Sequence, residues 1–160
     1  MRIIASGLVV AACLLASCTA IPASEIARAK ADGVPVLFEY AEPCSAQDSS
    51  TGCKEQFVVT ADRPIKYLRT WWTPISPVGE PALGRCLDCN GGLPHGGVVT
   101  GPLRPGTIVP TRSKARWSGP ITCFRLDRCE VEFMDGETQG FSGENVGRVL
   151  ASTFRRCPKP

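Results

Sequence analysis

Bulky apolar residues recur at every second position over 34–41, VPVLFEYA, where Val34, Val36, Phe38 and Tyr40 stand against Pro35, Leu37, Glu39 and Ala41. A period of two is that of a strand with one buried face. Pro35 belongs at its start or on a sheet edge, where no ladder N–H is missed. KEQFVVTA (54–61) and IKYLRTWWT (65–73) predict two further strands, separated by the breaker Asp62-Arg63-Pro64. The turn-rich PCSAQDSSTGC (43–53) between the first two predicts a long hairpin loop. Upstream, EIARAKAD predicts a short helix, capped by Ser24 and stopped at Gly33.

At Pro74 the pattern is lost. Gly and Pro dominate up to about Arg112, as in NGGLPHGGVVTGPLRPGT. The expectation is a long irregular excursion over 74–112 with one short strand at Val98–Thr100. Long connections of this kind are uncommon and concentrate function, which makes this the expected working surface. Pattern resumes in RWSGPITCFRL (116–126), a turn at Asp127-Arg128, and CEVEFMD (129–135). Asp135-Gly136 is a hairpin turn signal leading into ETQGF (137–141). Finally Val146, Val149, Leu150 and Phe154 recur at helical spacing behind Ser142. The fold class expected is mainly β or α+β: a small antiparallel β-rich domain of five to seven strands with a C-terminal helix. Nothing alternates as βαβ units do, and there are no internal repeats.

The N-terminus changes the picture. Arg2 is followed by an apolar run to Ala16, broken only by Ser6 and Gly7. This is a positive n-region and a short h-region, too short for a membrane span. Leu15-Ala16-Ser17-Cys18 resembles the lipobox of bacterial lipoproteins. The resemblance implies a diacylglyceryl thioether on Cys18, cleavage before it, and acylation (palmitate among the chains) of its new amino group. It also implies a protein of the cell envelope held to the membrane through the Cys18 lipid. Thr19 after the lipid cysteine, rather than Asp, implies the outer membrane, facing the periplasm or the cell surface. The organisation expected is 1–17 signal peptide, 18–33 lipidated cysteine and tether, and 34–160 a single domain. Without 1–17, about 143 residues remain, a size that buries about 68–70% of its unfolded surface in one core. The formal charge of +3 gives no basis for a nucleic-acid partner.

An oxidising compartment turns attention to the nine cysteines. Cys13 leaves with the signal. Cys44, Cys53, Cys86, Cys89, Cys123, Cys129 and Cys157 remain. Local pairing predicts Cys44–Cys53, Cys86–Cys89 and Cys123–Cys129 as braces, with Cys157 as a free thiol.

No motif commits the chain to a reaction. Cys86-Leu87-Asp88-Cys89 is followed by Asn90-Gly91-Gly92, which breaks the helix that lowers a redox thiol's pKa. Cys86, Cys89 and His95 supply three soft ligands, but there is no second CxxC and no other His in the chain. Gly140-Phe141-Ser142-Gly143 is not a nucleophile elbow. Glu130 and Glu132 share a strand face about 7 Å apart, as an inverting carboxylate pair does and as any solvated E-x-E does. Trp71-Trp72 predicts one indole in the core and one facing solvent or a partner.

The reading is an envelope lipoprotein that is not an enzyme, takes no cofactor, and binds or supports an envelope protein or cell-wall component. Trp71, Trp72 and His95 are its candidate binding residues. A thiol, metal or redox module at Cys86, Cys89 and His95 is the first alternative. An inhibitor or immunity lipoprotein against a secreted hydrolase or toxin is the second.

Overall fold

A computed structural model describes residues 19–45, 51–82, 95–112, 116–117 and 119–157. The alternating stretches form strands as their period requires. β1 (Val36–Ser45) and β2 (Thr51–Val59) make an antiparallel hairpin, and β5 (Ile108–Arg112) adds to the far side of β2. β3 (Ile65–Ile75) and β6 (Cys123–Phe133) are the centre of a second sheet of order β4-β3-β6-β7, with β4 at His95–Leu103 and β7 at Thr138–Ser142. All pairs are antiparallel. The domain is mainly β, with helix α1 (Ala23–Ala31) and a 3₁₀ helix over Gly143–Val149.

The core lies between the sheets. Phe38 of β1 meets Phe57 of β2 at 5.4 Å between ring centroids and, edge-on across the sandwich, Trp72 of β3 at 5.5 Å. Trp72 stacks on Phe154 of the C-terminal segment at 6.3 Å. Such aromatic pairs contribute about 0.5–1.5 kcal/mol each beyond the area they bury. Leu68, Val131, Phe124 and Val149 complete the fully buried centre.

Five expectations are corrected. The excursion contains strands in its described part: β4 and β5 both lie there, one on the edge of each sheet, joined by a turn at Arg104–Thr107 in which Gly106 is left-handed. There is no turn at Asp127-Arg128. β6 runs through, and a bulge at Asp127 takes up the extra residue opposite Trp71-Trp72. The C-terminal helix shrinks to seven 3₁₀ residues. Gly143 starts it in the left-handed region, and the chain beyond Val149 extends beside β1, bridging Leu150 to Phe38. Residues 19–33 are not a free tether. Ile21 and Ala29 are buried in the core, and Glu25 accepts hydrogen bonds from the backbone N–H of Ser152 at 2.8 Å and from its hydroxyl at 2.6 Å. Pro22, not Ser24, holds the helix N-cap position, while the expected stop at left-handed Gly33 is present.

Candidate functional site

The cysteines do not follow sequence proximity. Cys123 is bonded to Cys157, 34 residues away, with Cα atoms 5.7 Å apart. Cys157 is therefore not the free thiol, and Cys123 does not pair with Cys129. Both of those lie in one extended strand, about 20 Å apart at strand rise, and only the missing turn would have joined them. Cys44 and Cys53 are thiols as well. Cys53 stands opposite Pro43, and Cys44 opposite Gly52, so the two side chains leave opposite faces of the hairpin. Cys53 and Cys129 point inward, and burial pushes both thiols well above the ordinary thiol range. Cys18, Cys86 and Cys89 lie outside the described residues. His95 begins β4, in register with Trp72. Among the described residues no three His, Cys, Asp or Glu side chains converge as metal ligands do.

The two tryptophans split as their period requires. Trp72 is buried, and Trp71 is half-buried on the outer face of the four-stranded sheet. Trp71 is not an open stacking platform. The Arg128 guanidinium lies over its ring, 4.6 Å from the centroid, and a Cβ on Gly96 would come 3.1 Å from its Nε1. From Arg128 an ion-pair ladder crosses the same face: Arg128 to Glu130 at 2.7 Å, Arg69 to Glu130 at 3.2 Å and to Glu132 at 2.9 Å, and Lys66 to Glu132 at 3.0 Å. Hydrogen bonds from Lys66 and Arg69 hold the Glu132 carboxyl below the usual range. Glu130 and Glu132 do share a face, but their oxygens are engaged by cations. Arg63 takes Asp135 and Glu137 in the same way. Glu130, Glu132, Asp135 and Glu137 are thus matched by Arg63, Lys66 and Arg69 on or just before β3.

One concave feature stands apart from this closed face. A groove of about 630 Å³ runs between the first half of β6 and the C-terminal segment. Phe124 to Asp127 form one wall, and Val146, Leu150 and Phe154 form the apolar side opposite. Arg125 and Asp127 pair on its rim at 3.0 Å, and Glu144 and Arg156 stand exposed along the other edge. The Cys123–Cys157 bond ties the tail to the start of β6 and closes one end. Sequence reasoning missed this groove. Its walls come from residues far apart in the chain, and its shape depends on β7 being short.

At the other end of the chain, Glu39 gathers the N-terminal residues. Its Oε2 accepts from the Thr19 hydroxyl at 2.8 Å and from Gln56 Nε2 at 2.7 Å, and its Oε1 from the Ala20 backbone N–H at 2.6 Å. Burial raises the Glu39 carboxyl, but the bonds from Ala20, Gln56 and Thr19 outweigh it and leave it below the usual carboxylate range.

Compared with known proteins, the chain matches no family model, no curated protein and no solved structure.

Proposed function

We propose that this protein is a lipoprotein of the bacterial envelope, anchored through Cys18, whose sandwich is a non-enzymatic binding module with the β6 groove as its binding site. The groove carries the reading. It is concave, apolar on one side, polar along its rim and braced by a disulfide, with a volume in the range typical of ligand sites. The outer sheet face, by contrast, has its charges and its indole already engaged by one another. The anchoring half rests on the Leu15-Ala16-Ser17-Cys18 pattern, and two or more acyl chains at one cysteine suffice for stable membrane attachment.

Two measurements test the two halves. Palmitate labelling and membrane fractionation of the full chain should label wild type and leave Cys18→Ala unlabelled and unprocessed. Equal labelling of both removes the anchor. For the module, the mature domain made in the periplasm should capture an envelope component that Val146→Arg fails to capture, with a melting temperature within a few degrees of wild type. Equal capture by a folded Val146→Arg variant removes the groove.

A further inference from the structure

The wall of the groove formed by β6 is a strand edge. On one side β6 pairs with β3 from Cys123, opposite Ile75, to Phe133, opposite Ile65. On the other side it pairs with β7 only from Arg128, opposite Ser142, to Glu132, opposite Thr138. At Gly143 the chain turns left-handed into the 3₁₀ helix and leaves the sheet. Among the described residues, Phe124–Asp127 therefore has a strand neighbour on one side only. In an antiparallel strand, successive N–H and C=O pairs point alternately to the two neighbours, so part of this stretch aims its donors and acceptors into the groove. No described backbone group of the 3₁₀ helix or the tail bonds to them.

We infer that the groove takes an extended peptide as an added strand, antiparallel to β6 along Phe124–Asp127 and continuing the line that β7 abandons. This rests on the groove being the binding site and names its occupant. Three observations select a peptide strand over other ligands. First, the free ladder edge matches main-chain amides spaced as a strand spaces them, the basis of strand-addition recognition. Second, the open stretch is about 14 Å long at strand rise, between Ser142 at one end and the Cys123–Cys157 bond at the other. Third, the opposite side, Val146, Leu150 and Phe154, is apolar. Alternate side chains of the strand would enter it, and the others would face the Arg125–Asp127 rim and water. The preferred partner is thus a segment with alternating apolar and polar residues and no proline at the paired positions. The bulge at Asp127 bends β6 where β7 ends, and bulges re-aim strands beside sites in this way.

The test selects linear heptapeptides from a displayed library on the mature wild-type domain, with counter-selection on Val146→Arg. An enriched peptide is then synthesised in two further forms, N-methylated at alternate residues in each of the two phases. Amide hydrogen exchange is read by NMR. The expected result is at least tenfold slower exchange at groove-facing amides within Phe124–Asp127, unchanged exchange in β7, and loss of binding in one methylation phase only. Three results overturn the inference: no peptide enriches; both methylated forms bind like the parent, which leaves a groove that binds side chains without a ladder; or a concentration-dependent dimer protects the same amides without peptide. Palmitate labelling of Val146→Arg is expected to match wild type, so failure here stays separate from failure of the anchor.

Discussion

Glu55 and Thr111 meet inside the sandwich, the Thr111 hydroxyl donating to Glu55 Oε1 at 2.9 Å across the β2–β5 pair. Glu55 is only 6% exposed. Its other oxygen has no partner in hydrogen-bond geometry, and neither has the neighbouring indole N–H of Trp72. Burial raises the carboxyl, and the Thr111 and Trp72 dipoles only partly offset that. A carboxyl raised in the folded state stabilises fully below its unfolded pKa and loses that contribution as pH rises through the folded value. Glu55→Gln removes the ionisation and keeps the shape. It is expected to match wild type near pH 4 and to be more stable by about 1–3 kcal/mol at pH 8. Urea unfolding at the two pH values checks both the size and the sign.

Glu39 has the opposite sign. Its pKa is lowered, so its contribution is present above the ordinary carboxylate range and fades as pH falls through the folded value. Glu39→Ala should release Thr19 to Ile21 and raise amide exchange there at pH 7. At low pH, wild type should exchange as fast as the variant. Persistent protection of Ala20 in Glu39→Ala would mean that the clamp lies elsewhere.

The Cys123–Cys157 bond closes a long loop. On a chain-entropy basis its loss costs roughly 3–4 kcal/mol. Cys157→Ser should lower stability by about that much and lose groove binding, because the tail carries Phe154 and Arg156. Denaturation with and without reductant, beside a binding assay, separates the two effects.

Alkylation sorts the remaining thiols among the described residues. In the native domain Cys44, half-exposed, should react, while buried Cys53 and Cys129 should react only after unfolding. Peptide mapping should recover Cys123 linked to Cys157. Recovery of Cys123 linked to Cys129 would contradict the strand that holds them apart.

Gly101 packs where no side chain fits. A Cβ there would stand 2.1 Å from the Ile65 carbonyl oxygen and 2.7 Å from the Leu103 amide nitrogen, both backbone. Gly101→Ala is expected to destabilise by about 1–3 kcal/mol or more, as overpacking does, and to loosen β4 from β3. Thermal unfolding measures the first effect and exchange at Leu103 the second.

The sequence was legible where the period was clean. Val36 and Phe38, or Leu68 and Thr70, recur at every second position and are buried, and the Trp71–Trp72 split follows from strand geometry alone. β4 was largely hidden because HGGVVTGPL carries glycines and a proline at an edge from which Leu103 is buried and Val99 only partly so. β6 was cut in two because the bulge at Asp127 shifts its phase: Phe124 and Leu126 point inward before it, Cys129 and Val131 after it. A phase shift in sequence looks like a turn. The true disulfide and the groove were out of reach for a common reason. Both depend on where β7 ends and where the tail returns, and no local pattern encodes either.

The Glu39 clamp also decides how far the domain could travel. A domain hung on a flexible leader of n residues sweeps a radius of about 5–6 Å × √n. With a lipid on Cys18, the leader is gone, because Thr19 and Ala20 are already bound to Glu39. The sandwich would sit on the bilayer like a fixture bolted at its base, its height set by its own dimensions. Anything it holds would have to arrive at that height, in that orientation.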